Sequence, residues 1–358
     1  MIQEHSIKLN IITEPIVSKR LDIFYNTIMS LNRTITILMM KTYFKDKKIR
    51  IADVLAGTGI RSLRLIKEFL HDKDYFVLLN DKNPEINKTF ETALKDNFSD
   101  DEIKEIKQNT KITNKDANLA MMQEKFFDYI DIDPFGSPNP FLDTAIKRTK
   151  SKGMIAITAT DTSALCGTYP KACRRKYFAE PIRNHLMHET GLRILIRKAQ
   201  LIGMQYDKAL IPVLSISTHH YMRVFFKVIT SKEKCNEIVK QHKFIDSKSK
   251  ITDEKKYGPI WIGKLYDKEI VKTMLESSKE YDDKQLTKLL TTINDEYDCL
   301  GFYDTHEISS EHKIEVKKID KIIFELKKQG FQASRTHIKD TGLKTDASIK
   351  DVLKAINT

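Results

Sequence analysis

The run Phe127-Asp128-Tyr129-Ile130-Asp131-Ile132-Asp133-Pro134-Phe135-Gly136-Ser137-Pro138 sets a carboxylate, a proline and an aromatic ring in succession after an apolar segment. Proline restricts the residue before it to extended backbone, so Asp133 projects from the end of a strand. Gly136 permits the turn that must follow. An acceptor beside a stacking face, Phe135, suits a planar base that carries an exocyclic amine. Asp131 lies two residues earlier on the same strand face and reads as support for Asp133. A capped turn with a core phenylalanine is the plainer alternative.

A second run, Asp53-Val54-Leu55-Ala56-Gly57-Thr58-Gly59-Ile60-Arg61-Ser62, has the glycines of a strand-to-helix turn, where a ligand can approach the backbone. A dinucleotide fingerprint wants a third glycine where Ser62 stands, which weakens a nicotinamide reading. Asp81 follows the glycines by about 20 residues, where an acceptor for a ribose diol belongs. Strand, glycine turn, helix, strand and terminal aspartate together point to a cofactor that carries a nucleoside. Asp116-Ala117-Asn118 offers a third carboxylate for an adenine amine, with a helix N-cap as the simpler role. Lys171, Arg174, Arg175, Lys176 and Arg183 are interleaved with Tyr169, Tyr177 and Phe178, a mixture suited to phosphate contact and base stacking. A solvated helix face explains those charges equally well. His185, His188, His219 and His220 lack metal-ligand spacing and read as structural.

These residues need strand ends to hold them. Residues 49–55, 75–79, 126–132 and 154–160 read as buried strands, and 60–70, 84–98, 141–148 and 182–203 as helices between or after them. Two further strands, 209–217 and 221–229, meet at a tight turn over 218–220. Strand–helix alternation implies a mainly parallel sheet covered on both faces, and the closing pair implies an antiparallel hairpin at its end. That topology suits a Rossmann-like class I methyltransferase better than a nicotinamide-binding fold. Residues 25–44 read as an amphipathic helix ahead of the sheet. Residues 231–256 are polar and Lys-rich and read as a linker. Beyond them, strands at 258–265 and 331–337 with helices at 268–279, 284–297, 314–328 and 347–356 imply a smaller α+β domain. The division expected is 1–230 for catalysis and 231–358 for a C-terminal domain that binds and positions the substrate.

Composition limits the classes. A chain of 358 residues suits about two domains of ~100–200 residues, and 41% hydrophobic with 31% charged residues excludes a disordered chain. No apolar run reaches the ~18 residues of a membrane span, and the first residues lack a secretion signal. Four cysteines without a C-x-x-C pair argue against a disulfide framework or a zinc knuckle. The net charge of +12 lies almost wholly in residues 1–230, an electrostatic footprint for a polyanion. A monomer in the cytoplasm, away from membranes, is expected.

Taken together these segments resemble the archaeal and eukaryotic tRNA (guanine-26) N2-dimethyltransferases. The resemblance runs through Phe24-Tyr25-Asn26, Asn32-Arg33, residues 53–64, Asp116-Ala117-Asn118, residues 131–140, 158–177, 188–196 and 258–265, and the Ala-Ser-Arg-Thr-His and Thr-Gly-Leu-Lys-Thr-Asp segments of 333–346. It implies S-adenosyl-L-methionine as donor, S-adenosyl-L-homocysteine as product, and the N2 amine of a tRNA guanine as acceptor. It implies Arg33, Arg61, Asp81, Asp116 and Ala117 around the cofactor and Asp133 in catalysis, and the glycine turn adds Asp53 and Gly57 to the expected cofactor site. Pro134, Phe135, Arg174, Arg175, Arg335 and Lys344 are the expected substrate contacts. Three departures stand out. Only Cys235 lies where many archaeal relatives carry a two-C-x-x-C zinc insert, so no zinc is expected. Thr27 and Thr34 replace the usual proline and aspartate. An N2-guanine methyltransferase with another tRNA address, and a tRNA-binding protein without activity, are the rival readings.

Overall fold

The computed structural model describes residues 2–10, 25–46, 48–218, 221–246 and 256–358. It forms two compact units: 1–158 with 202–211 and 225–232, and 159–201 with 212–224 and 233–358.

In the first unit, β1 (Ile2–Glu4) and β2 (Ile7–Leu9) form a small antiparallel ribbon. A 3-10 turn, Thr27–Met29, leads into α1 (Ser30–Tyr43), so the helix expected from residue 25 starts later. Then come β3 (Lys48–Asp53), α2 (Ile60–Leu65) with a π turn over Ile66–Leu70, β4 (Asp74–Asn80), α3 (Glu85–Asn97), α4 (Asp100–Asn109), β5 (Thr110–Thr113), α5 (Ala117–Met122), β6 (Phe127–Ile132), α6 (Asn139–Arg148) and β7 (Thr149–Ala159). Helix α4 was not expected, although Ser99 and Glu102 form a capping box at its start.

The main sheet has seven strands in the order β5-β4-β3-β6-β7-β9-β8, with β8 at Lys208–Thr218 and β9 at Tyr221–Thr230. The turn expected at 218–220 lies largely outside the described residues. Strands β3 to β7 pair in parallel, as expected for strands joined by helices. Parallel strands covered on both faces read as apolar runs, and in β6 only Asp128 is not buried. One layer of the core packs Ala52, Val54, Leu78, Met121, Phe127, Ile130, Ile132 and Ala145. Chain direction across the sheet reverses between β3 and β6, the point where ligands lodge beyond the strand ends in such sheets. This is the Rossmann-like sheet expected from the sequence.

In the second unit, α7 (Thr162–Leu165), α8 (Pro170–Tyr177) and α9 (Met187–Met204) come first. Helix α9 starts five residues later than expected. Residues read as a linker form α10 (Lys232–Lys240) and β10 (His242–Ile245), which pairs with β11 (Tyr257–Trp261). The Lys-rich surface hid an amphipathic helix that buries Cys235 and Ile238; residues 247–255 lie outside the description. Next are α11 (Lys268–Ser277), α12 (Lys284–Asp295), β12 (Tyr303–Asp304), α13 (Thr305–Glu311), α14 (Ile319–Lys328), β13 (Ala333–Arg335), β14 (Gly342–Thr345) and α15 (Ile349–Asn357). A three-stranded sheet, β12-β14-β13, packs its apolar side with Ile308, Ile322, Leu326, Leu343, Val352 and Ile356.

Candidate active site

The carboxyl ends of β3, β4, β5 and β6 bring the expected residues together within the first unit. Beyond β3, Gly57 and Gly59 take positive φ values of 56° and 75°, and a Cβ on Gly59 would sit 2.9 Å from the Phe90 ring. That position therefore needs glycine for both backbone and space. Gly57 N–H donates to Asp81 Oδ2 at 2.8 Å, and Asn83 N–H donates to Asp81 Oδ1 at 3.0 Å. The Asp81 carboxylate is thus fixed beside the glycine turn with acceptor capacity left over.

Asn80 was not anticipated. Fully buried at the end of β4, its amide donates to Val54 O and Lys115 O, and its oxygen accepts from Thr113 Oγ1 and Lys115 N–H. One side chain ties three strand ends to each other. An asparagine closing an apolar run was the signal available for it.

Asp116 caps α5, accepting from Asn118 N–H at 3.0 Å, and pairs with Lys82 at 3.1 Å. That pairing, ahead of its other contacts, holds the carboxyl below the usual range. Ala117 is buried behind it. The helix cap and an acceptor for an amine are compatible here, since the carboxylate stays exposed.

Asp53 and Asp131 face each other in register across β3 and β6. Asp53 accepts from Ser62 Oγ at 2.9 Å. Burial pushes its carboxyl up to about 7, opposed by the Arg61 guanidinium and assisted by Asp131. Asp53 is a buried support under the glycine turn. Asp131, equally buried, accepts from the Tyr129 hydroxyl and lies 3.5 Å from Arg61 Nη1, the supporting place expected for it. Arg61 Nη2 pairs with Asp133 Oδ2. Phe135 is 45% exposed, so it is not a core phenylalanine. Gly136 has φ 89° with open space around a notional Cβ.

Arg33 stands elsewhere. Its guanidinium donates to both oxygens of Glu4 and to Asn26 O, and stacks on Tyr25 at 5.1 Å. Glu4 also takes Arg64 at 3.1 Å. Burial alone would raise the Glu4 carboxyl, but these partners hold it down at about 2. Thr34 accepts from Arg64 Nη1 at 2.9 Å, so the residue that replaces an aspartate still serves this network.

In the second unit, Arg174 is paired with Glu180 through two hydrogen bonds, while Arg175 is exposed, as are Tyr169 and Phe178 at 63% and 64%. Arg335 is half-buried and donates to Asp320 Oδ1 at 2.9 Å. Lys344 corrects an expectation. It is 1% exposed, donates to Cys299 O at 2.8 Å, and lies 3.4 Å from both Glu189 and Glu296. A buried ammonium matched by two carboxylates is a fold element and offers nothing to a phosphate. His185 pairs with Glu307, and His188 touches Cys166; His219 and His220 lie outside the described residues. Among the described residues no three His, Cys, Asp or Glu side chains converge as metal ligands, and no helix is long and apolar enough to cross a membrane.

The acceptors Asp81 and Asp116 stand on adjacent strand ends beside a glycine turn. That donor-free set fits a ribose diol and an adenine amine, the two hydrogen-bonding ends of a nucleoside.

The chain is similar to known proteins over nearly its whole length. Residues 3–357 match the N2,N2-dimethylguanosine tRNA methyltransferase family. The chain is 39% identical to a tRNA (guanine(26)-N(2))-dimethyltransferase of Pyrococcus abyssi, over 91% of this chain and 90% of the relative. It is 36% identical to the enzyme of that name from Methanocaldococcus jannaschii, over 95% and 94%. Among solved structures it is similar to Trm1 from Pyrococcus horikoshii in complex with S-adenosyl-L-methionine, with TM-score 0.87 and 33% identity over 99% of this chain and 98% of that one.

Proposed function

The chain belongs to the N2,N2-dimethylguanosine tRNA methyltransferase family, and from that premise we propose that its Asp133 turn methylates the N2 amine of guanine 26 in tRNA, first once and then again. It is an S-adenosyl-L-methionine-dependent tRNA methyltransferase. The observation that carries the site assignment is the carboxylate–proline–aromatic turn at the end of β6, in the same unit as the Gly57–Asp81 cradle.

S-adenosyl-L-methionine supplies a methyl group activated by its sulfonium. The residues of the chain do the rest. Asp81 binds the ribose diol, the Gly57 backbone allows close approach, and Asp116 with Ala117 receives the adenine. Asp133 and the Pro134 carbonyl accept hydrogen bonds from the two N2 hydrogens, which localises the nitrogen lone pair otherwise shared with the ring. Asp133 takes one of those protons as the new N–C bond forms. In a stem the amine is stacked and paired, so the base leaves the stack at a cost of roughly a few kcal/mol, with Phe135 as its platform. Most of the rate enhancement is then positioning.

Arg175, with the exposed rings of Tyr169 and Phe178, suits the phosphates and bases of the tRNA. Arg335 remains a phosphate contact if it can leave Asp320. Catalysis is assigned to 1–230 and tRNA placement to 231–358.

Two measurements test this reading. Asp81→Ala is expected to weaken S-adenosyl-L-methionine and S-adenosyl-L-homocysteine alike by about 1.5–3 kcal/mol, roughly ten- to hundredfold; unchanged titrations remove the ribose assignment. Tritiated methyl incorporation is expected with an unmodified tRNA transcript and lost when guanine 26 is replaced by adenine. Equal labelling of both transcripts would assign another address.

A further inference from the structure

Helices α1 and α2 meet at the guanidinium that grips Asp133. Arg61 Nη1 donates to Asn32 Oδ1 at 2.8 Å and to Thr36 Oγ1 at 2.9 Å. Asn32 and Thr36 lie one turn apart on α1 and are fully buried, and Arg61 is 5% exposed. Its Nη2 points at Asp133 Oδ2, and its Nη1 lies 3.5 Å from Asp131. A guanidinium is a rigid planar fork, so fixing one prong fixes the direction of the other. Charge balance alone does not require this arrangement. Asp131, 1% exposed, already places a buried carboxyl 3.5 Å from the same guanidinium. The two neutral oxygens of α1 contribute direction rather than charge.

The consequence falls on Asp133. Its side chain is 16% exposed, and one of its oxygens is held from below. Among the described residues, Oδ1 has no hydrogen-bond partner. It is the oxygen left for an incoming amine.

We infer that Arg61, aimed by Asn32 and Thr36, is the positioning residue that sets the orientation of the Asp133 carboxylate toward the guanine amine. This rests on the catalytic reading of Asp133. It goes beyond any contact between Arg61 and the cofactor, because Thr36 and Asn32 act on the rate only through the direction of the fork.

Thr36→Val keeps shape and removes the acceptor, and Thr36→Ser keeps the acceptor. In single-turnover methyl transfer at saturating S-adenosyl-L-methionine, Thr36→Val is expected to slow the step about ten- to hundredfold, the scale of a small misplacement. Titrated S-adenosyl-L-homocysteine affinity should stay within about twofold, since the interaction acts on the chemical step. Thr36→Ser should return the wild-type rate. Asn32→Leu, which removes the other acceptor that aims the fork, serves as the second variant and should show the same split, with thermal unfolding confirming a folded protein. An unchanged rate in Thr36→Val and Asn32→Leu overturns the inference. So does a rate loss that disappears once weakened cofactor binding is saturated. Asp133→Asn, assayed alongside, separates the two readings: near-wild-type turnover there rejects the catalytic assignment itself, whatever the Thr36 variants do.

Discussion

Asp133→Asn is expected to slow methyl transfer by about 10²–10⁴-fold, the range of a lost general base, with S-adenosyl-L-methionine binding retained. The substitution preserves shape. Arg61 Nη2 donates to Asp133 Oδ2, so the amide of the variant must turn its oxygen to Arg61. Its NH2 group then faces the guanine amine, and two donors meet where an acceptor was needed. Asp131 cannot substitute, because it is 1% exposed and held by the Tyr129 hydroxyl. Calorimetric titration with S-adenosyl-L-homocysteine and a single-turnover methylation assay separate binding from chemistry. Turnover close to wild type would remove Asp133 from the mechanism.

Lys344→Met is expected to destabilise the fold by about 3–5 kcal/mol, the cost of breaking a buried ion pair from one side. The ammonium is 1% exposed between Glu189, which also binds Arg193 and Gly301 N–H, and Glu296, which also binds His337. Methionine fills the space and removes the charge, leaving two carboxylates short of a partner. The same cluster predicts an acid limit. Burial would raise the Glu296 carboxyl, but His337 and Lys344 outweigh it and hold it at about 2, below the ordinary value of 4.5. A carboxyl depressed on folding stabilises above its unfolded value, and that contribution is lost as pH falls toward the folded one. The wild-type protein should therefore lose stability between pH of about 4.5 and about 2, and Lys344→Met should lose less over that window. Denaturant unfolding across pH measures both. Unchanged stability in Lys344→Met, together with a shallower salt dependence of tRNA binding, would return Lys344 to the phosphate contacts.

Much of the site was legible because it lies on strand ends. The alternation of apolar runs with helices places Asp53, Asp81, Asp116 and Asp133 at one edge of one sheet, and a parallel sheet leaves that edge for ligands. Proline after Asp133 and the glycines after Asp53 act through local backbone, which sequence reports directly. Burial of charge is a tertiary property and was not legible. Arg33, Arg61 and Lys344 look alike as cations in a sequence, yet one closes a network with Glu4, one steers Asp133, and one sits between two glutamates. Thr36 and Asn80 were passed over, and Asn32 was named only as part of a family segment, because neutral polar residues announce a role only through their partners. The helix at Lys232–Lys240 was read as linker for a related reason: a Lys-rich surface outweighed the two buried positions, Cys235 and Ile238, that define its inner face.

Nucleoside mapping by mass spectrometry of an unmodified tRNA transcript, after reaction with S-adenosyl-L-methionine, tests the proposed reaction most directly. N2-methylguanosine is expected at position 26 early in the time course and N2,N2-dimethylguanosine at the same position later, with neither formed by Asp133→Asn. Methylation on a ring nitrogen or on the ribose, or no methylation of guanine 26 by the wild-type protein, would contradict it.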